Sequence, residues 1–188
     1  NKFKKTYNQL INNGKYDGEV TLIIGDDLEK EELQKDNFYK DINIVKFKNI
    51  ELNKDFLSKF NSLNRSPLWK NKIFQYHKFH LFNTYFKKWD YIFYLDCGVK
   101  IYRDIHPILN LRKKDKILAH SDAFPTYEWK LHNQFDKTHN LFGKLNKEYN
   151  LNIDYFQTTI LLYDTNIVSE NLFNSLCLLA CEFPISIT

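Results

Sequence analysis

The chain has 188 residues, of which 43% are hydrophobic, 16% aromatic and 27% charged, and its formal net charge is +4 at pH 7. Enough of it is hydrophobic to bury a core, so a disordered tail is excluded, and the length predicts one domain over residues 1–188. The basic residues are spread along the chain, and the densest runs, Lys2–Lys5 and Arg112–Lys116, are typical of solvated edges. A specific nucleic-acid binder is therefore disfavoured.

Helices and strands are predicted to alternate. Apolar residues at helical spacing predict an opening helix that ends at Gly14. The further predicted elements are a strand at Val20–Ile24, a short helix at Glu29–Lys35, a strand at Ile42–Phe47, a helix at Trp69–Phe86, a strand at Tyr91–Asp96, an extended piece at Val99–Tyr102, a strand at Lys116–His120, a helix at His132–Tyr149, a strand at Tyr155–Tyr163 and a helix after Val168. This alternation predicts an α/β domain with a mostly parallel sheet flanked by helices.

The cysteines, the apolar runs and the two ends of the sequence bear on where the protein works. Cys97, Cys177 and Cys181 show neither CxxC spacing nor the even number of a disulfide framework, so a reducing compartment such as the cytoplasm is expected. No apolar run approaches the roughly 20 residues of a membrane span. The absence of methionine and the apolar C-terminus predict a piece of a longer product that lacks part of its fold at both ends.

Polar residues follow three of the predicted strands where they end, at residues 25–27, 96–98 and 120–122. In open α/β sheets, ligands bind beyond the carboxyl ends of the strands. Asp96 is therefore either a ligand for a divalent cation or a sugar hydroxyl, or a residue that caps a turn. The chain has only five glycines and contains neither GxGxxG nor a P-loop motif.

Lys78 is the second candidate site residue. Phe74, Leu81, Phe82 and Tyr85 lie at helical offsets of −4, +3, +4 and +7 from it, so its ammonium projects from an otherwise apolar helical face. Two readings follow: the side chain extends to water along its apolar stem, or it meets a phosphate or a sugar.

Three segments in order resemble the glycosyltransferases of the GT-A fold, in particular those of family 8. They are YHKFHLFNTYFKKWDYIFYLDCGVKIYRDI at Tyr76–Ile105, KILAHSDAF at Lys116–Phe124 and YFQTTILLYDTNIV at Tyr155–Val168. The resemblance covers residues 2–168 and implies a Rossmann-like sheet. It also implies transfer of a sugar, with retention at the anomeric centre, from a nucleotide-sugar donor, most simply UDP-hexose. The acceptor, whether glycan, protein or small molecule, is not indicated.

The family's D-x-D motif, which holds manganese against the nucleotide diphosphate, corresponds here to Asp96-Cys97-Gly98. Asp96 matches the first acid and is the implied ligand of a manganese or magnesium ion. Gly98 stands in place of the second acid, which is normally the main metal ligand, so metal binding departs from the family pattern. The middle position normally points away from the site, so Cys97 is expected to be a small core residue.

The resemblance implies further contacts with the donor from Lys78, Asp122, Gln157 and Thr158. Lys78 matches a basic residue of the family's long helix, Asp122 an acid that touches the donor sugar, and Gln157 and Thr158 an Asn-Ala pair. The family's first strand would precede Asn1, and its later histidine metal ligand would follow Thr188.

Other readings stay open beside the transferase. The first is a non-catalytic GT-A-like binding or assembly module, which Gly98 favours because it removes a metal ligand. The second is a receiver-like phosphorylation domain, although 70 residues separate Asp26 from Asp96, which is too many for two ordinary βα units. A nucleic-acid binder is disfavoured by the diffuse charge.

Overall fold

The computed structural model describes residues 2–52, 54, 56–58, 72–121 and 129–185, and these form an α/β structure. The α-helices are α1 (Lys2–Asn12), α2 (Lys30–Gln34), α3 (His106–Leu109), α4 (Asn140–Glu148) and α5 (Glu170–Glu182). The strands are β1 (Thr21–Ile24), β2 (Asn43–Lys46), β3 (Tyr91–Leu95), β4 (Ile117–Ser121) and β5 (Phe156–Asp164). 3₁₀ segments lie at Asn37–Tyr39, Lys72–Phe82, Thr84–Lys88, Leu131–Gln134 and Thr165–Ile167.

The strands form two sheets. In the first, β1 and β2 are parallel, and Thr21 pairs with Asn43. In the second, the order is β3-β5-β4, and β5 is antiparallel to both of its neighbours. The predicted mostly parallel sheet is thus found in β1 and β2 alone. Apolar spacing marks where β5 begins and ends, but its direction depends on which side the chain enters the sheet.

The carboxyl ends of β3 and β4 nevertheless lie at the same end of the sheet, as predicted. Both strands are antiparallel to β5, so they run in the same direction with β5 between them. Residues near the start of β5 meet both ends, because Ile160 pairs with Leu95 and Gln157 pairs with His120. A register shift between Ala119 and His120 interrupts the ladder just before β4 ends. The polar residues at the ends of these strands, Asp96 after β3 and His120 and Ser121 of β4, are thereby brought to one end of the sheet.

Some predicted elements take another form. The described part of the predicted helix Trp69–Phe86 is 3₁₀ rather than α, and the predicted helix His132–Tyr149 divides into the 3₁₀ segment Leu131–Gln134 and α4. The predicted extended piece Val99–Tyr102 joins no described strand.

Side chains of α1 and of Asn13, the residue directly after it, take the place of a partner strand for that piece. Thr6 Oγ1 donates to the Val99 carbonyl at 3.2 Å, Asn13 Nδ2 donates to the Ile101 carbonyl at 2.7 Å, and Ile101 N donates to Gln9 Oε1 at 3.0 Å. The main chain after β3 is therefore held against α1 by hydrogen bonds that apolar periodicity cannot reveal.

Two layers cover the sheets. On one side α1 packs Phe3 and Tyr7 against the first sheet, where Leu22 and Ile24 are buried. On the other side, a cluster joins the 3₁₀ segment Lys72–Phe82 to β5 and to the residues after it; its buried members are Leu81, Leu161, Tyr163 and Val168. Within the described ranges, no helix has both the length and the apolar character needed to cross a membrane.

Candidate functional site

A cleft of about 520 Å³ lies between β1 and β3. Helix α1 lines one of its sides, and the 3₁₀ segment Lys72–Phe82 lines another. Lys78 and Asp96 line the cleft together, at the end where β3 stops. The structure therefore joins the two leading sequence candidates in one open cavity.

Lys78 and Asp96 form a partly buried ion pair. Lys78 Nζ donates to Asp96 Oδ2 at 2.7 Å, and the two side chains are 25% and 29% exposed. The hydroxyl of Tyr94 donates to the other carboxylate oxygen, Asp96 Oδ1. Lys78 Nζ also lies 3.3 Å from Thr158 Oγ1 and 3.4 Å from the Thr158 carbonyl. Four residues from three separated segments thus converge while both charged groups stay within reach of a ligand.

The local periods of the chain explain this convergence. Tyr94 and Asp96 are two residues apart at the end of a strand, so their side chains lie on the same face. In the 3₁₀ segment, three residues complete one turn, which aligns Gln75, Lys78 and Leu81 along the cleft. Phe74 lines the same cleft as Lys78 and Leu81, as the predicted face requires, but it is 70% exposed, so this face is open to solvent at Phe74.

The pKa values of two neighbours follow from burial and from the Asp96 carboxylate. Burial, the hydrogen bond to Asp96 and its charge raise the pKa of Tyr94 far above its usual range, so its hydroxyl stays a neutral donor. Partial desolvation and then Asp96 raise the pKa of the Cys97 thiol, which disfavours a thiolate. Cys97 is nevertheless an exposed residue, so the expectation of a small core residue is wrong.

Gly98 is held in a conformation that selects glycine. Its φ is +117°, a region that residues with a Cβ rarely adopt, and its N–H donates to Thr6 Oγ1 at 2.9 Å. A Cβ there would meet only Lys2 Cδ, at 3.6 Å, so backbone conformation and not lack of space selects glycine. An acid at this position would therefore be strained.

The described residues do not fit a resident divalent cation. Among them, no three acidic, histidine or cysteine side chains are grouped so that they could hold a metal ion. Asp96 is the one acid of the Asp-Cys-Gly segment, and both of its oxygens already accept hydrogen bonds, from Lys78 and Tyr94. Divalent cations prefer several oxygen ligands, so one carboxylate engaged by a lysine is a poor donor set.

A second cavity, of about 470 Å³, lies beside Asp96 and Gly98. Lys2, Lys5 and Lys100 contribute to its lining. This cluster of positive charge was missed from the sequence because Lys2 and Lys5 belong to a basic run assigned to a solvated edge. The predicted opening helix could have revealed part of this cluster, because residues 2 and 5 of a helix lie on one face. That this face lies beside Gly98 depends on tertiary contacts.

The other predicted site residues lie in different parts of the chain. Gln157 and Thr158 are exposed on β5, and Thr159 Oγ1 donates to Gln157 Oε1 at 3.4 Å. Asp122 lies outside the described residues, directly after β4. Asp26, at the end of β1, accepts a hydrogen bond from the main-chain N–H of Asn49 at 2.7 Å, so it stabilises a loop.

Comparison of the chain with protein-family models, with curated proteins and with solved structures finds no match. The resemblance to GT-A glycosyltransferases therefore stays a prediction that depends on the three sequence segments given above.

Proposed function

We propose that this chain binds a nucleotide-sugar donor, most simply UDP-hexose, and transfers its sugar to an acceptor hydroxyl. The observation that supports the proposal is the convergence of Lys78, Asp96 and Thr158 at the end of an open cleft. The resemblance implies that all three contact one donor, although they lie in segments up to 80 residues apart. A structural ion pair alone gives no reason for this set to meet beside two cavities.

The chemistry of the transfer requires positive charge at the leaving group. The bond between the anomeric carbon and the phosphate oxygen breaks, and its electron pair goes to the diphosphate. The acceptor oxygen forms the new bond to that carbon and loses its proton to solvent. Cationic donors placed at the diphosphate stabilise the charge that develops there. In this proposal Lys78 supplies that charge, and Lys2, Lys5 and Lys100 of the adjacent cavity add to the positive potential.

Polar groups next to Lys78 are proposed to orient the sugar. Each Asp96 oxygen has a second lone pair, so the carboxylate can accept a hydroxyl while it keeps Lys78 and Tyr94. Gln157 can donate and accept hydrogen bonds, and it is exposed beside Thr158. Asp122 is the proposed further acid for the sugar. No step of the proposal passes through manganese or magnesium, since the described donor set does not fit either ion.

Calorimetric titration of UDP and UDP-glucose into the chain tests the donor site. Lys78→Met is expected to weaken binding about 10- to 100-fold, because a hydrogen bond to a charged group contributes about 1.5–3 kcal/mol. Lys78→Arg keeps the charge and should retain most of the affinity. Lys144→Met is the matched control, since Lys144 forms an ion pair with Glu182 at 2.5 Å and lines neither cavity. Equal affinity of Lys78→Met and the unchanged chain contradicts the proposal.

A non-catalytic donor-binding module is the second candidate, and Gly98 favours it. The left-handed backbone at Gly98 and the single acid at Asp96 remove the usual metal site of the resembled transferases. Release of UDP from UDP-glucose, followed with a coupled assay, separates the candidates: turnover supports transfer, whereas binding without turnover supports the module. The free thiols Cys97, Cys177 and Cys181 support placing either protein in the cytoplasm or another reducing compartment.

A further inference from the structure

The two sheets have strand edges that face one cleft. Each strand has two sides on which it can pair. Among the described strands, β1 pairs with β2 on one side and β3 pairs with β5 on one side, and the other side of each has no partner strand. The cleft is lined by β1 and β3, and no residue of β2 or β5 lines it. Each wall of the cleft is therefore the edge of a strand that no described strand covers.

The two walls run in the same direction. At their amino ends, Trp89 Nε1 donates to Glu19 Oε2 at 3.0 Å, which joins the residues that precede β3 and β1. At their carboxyl ends, His77 Nε2 lies 3.3 Å from the Ile24 carbonyl, and the next residue binds Asp96. β1 and β3 are thus aligned side by side and start and stop together.

The main-chain groups of β3 that face the cleft follow from its pairing with β5. Asp96 N donates to the Thr159 carbonyl at 2.9 Å. Because alternate residues of a strand face the same neighbour, Asp96, Tyr94 and Ile92 direct their N–H and C=O groups to β5. Tyr91, Phe93 and Leu95 therefore direct theirs into the cleft.

The same argument applies to β1. The Ile24 carbonyl accepts from Phe47 N at 3.0 Å, so Ile24 and Leu22 direct their main-chain groups to β2. Thr21 and Ile23 direct theirs into the cleft. Backbone N–H and C=O groups are almost always paired in folded proteins, and an uncovered edge is a template for a further strand.

Both faces of the cleft are covered by apolar layers. Tyr7 and Leu10 of α1 line one face, and Leu81 of the 3₁₀ segment Lys72–Phe82 lines the opposite face. A strand between these layers would be buried on both faces, which requires a continuous apolar run rather than an alternating one. With four residues in β1 and five in β3, it would have about five residues.

We infer that this cleft accepts an extended strand of polypeptide that is not among the described residues, apolar on both faces, which pairs with β1 and β3 and joins the two sheets into one. Each described strand already has a partner, so the described residues of a second copy offer no strand to donate. A small apolar molecule would fill the cleft and leave both strand edges unpaired. The inference depends on the strand edges alone and not on the proposed donor site.

Peptide binding to the unchanged chain tests the inference. The probe is a fluorescein-labelled peptide of nine residues, with five central Val and Ile residues and two Lys at each end. Its control is the same peptide with alternate central amides N-methylated, which keeps the side chains but blocks strand pairing. The unmethylated peptide is expected to bind at least tenfold more tightly and to slow amide hydrogen exchange at Ile23, Phe93 and Leu95.

A pair of variants separates main-chain pairing from packing. Phe93→Ala removes the ring and keeps the N–H that faces the cleft, whereas Phe93→Pro also removes that N–H without affecting the ladder to β5. Phe93→Pro should bind the peptide at least tenfold more weakly than Phe93→Ala. Equal binding of the methylated and unmethylated peptides overturns the inference in favour of an apolar ligand. Concentration-dependent dimers that protect the same amides without peptide overturn it in favour of a second copy.

Discussion

The ion pair of Lys78 and Asp96 should contribute more to stability than an ordinary surface pair. Two unit charges 2.7 Å apart attract by about 6 kcal/mol at an effective dielectric constant of about 20. Lost hydration and side-chain ordering offset most of that energy, and exposed pairs retain only about 0.2–1 kcal/mol. With side chains 25% and 29% exposed, and with a direct hydrogen bond, we expect a coupling energy of about 1.5 kcal/mol.

A double-mutant cycle measures this coupling. The variants are Lys78→Met, Asp96→Asn and the double substitution, and the free energy of unfolding is obtained from urea denaturation of each. Asp96→Asn keeps a carbonyl oxygen that can accept from Tyr94, so the cycle isolates the charge interaction. Because the pair is partly buried, its coupling should fall little between low and moderate salt.

Lys130 and Asp154 provide the matched control pair. Their charged atoms are 2.6 Å apart, but the side chains are 31% and 69% exposed. The equivalent cycle with Lys130→Met and Asp154→Asn should give less than about 1 kcal/mol and a clear decrease with salt. A coupling below about 0.3 kcal/mol for Lys78 and Asp96, which is within the error of additivity, would refute the reasoning.

Three further outcomes are expected. His80 is buried between the rings of Phe47 and Phe173, and burial lowers its pKa, so the unfolded chain takes up a proton first as the pH falls below about 6.5. The free energy of unfolding, measured by urea denaturation, should therefore decrease from pH 7 to pH 5.5, and it should decrease less in His80→Phe. An equal decrease in both proteins would show that His80 is not the group responsible. Gly98→Asp should lower the free energy of unfolding by about 1–2 kcal/mol, because the backbone φ at position 98 is positive. The variant should not bind manganese in a calorimetric titration, and tight manganese binding would show that the backbone adapts. Tyr163→Phe should cost about 1 kcal/mol in thermal unfolding, since it leaves the Leu81 carbonyl without its hydroxyl donor, and an unchanged melting temperature would show that the carbonyl finds another donor.

Much of the local structure could be predicted from the sequence, because it depends on short-range spacing. The opening helix, the strands around Leu22 and Phe93 and the helix after Val168 are all predicted from the local sequence and are present in the structure. The 3₁₀ form of the segment around Lys78 could not be, since α and 3₁₀ helices share the same residue types over short stretches and differ in packing.

The candidate site divides in the same way. The sequence by itself placed Asp96 at the end of a strand and Lys78 on a helical segment, because each position follows from local pattern and charge. Only the tertiary structure brought Lys78, Asp96 and Thr158 together, reversed β5 between β3 and β4, and turned the uncovered edges of β1 and β3 toward one cleft. These features depend on strand direction and on contacts between distant segments, and the free energy that decides them comes from packing, which no short stretch of sequence contains.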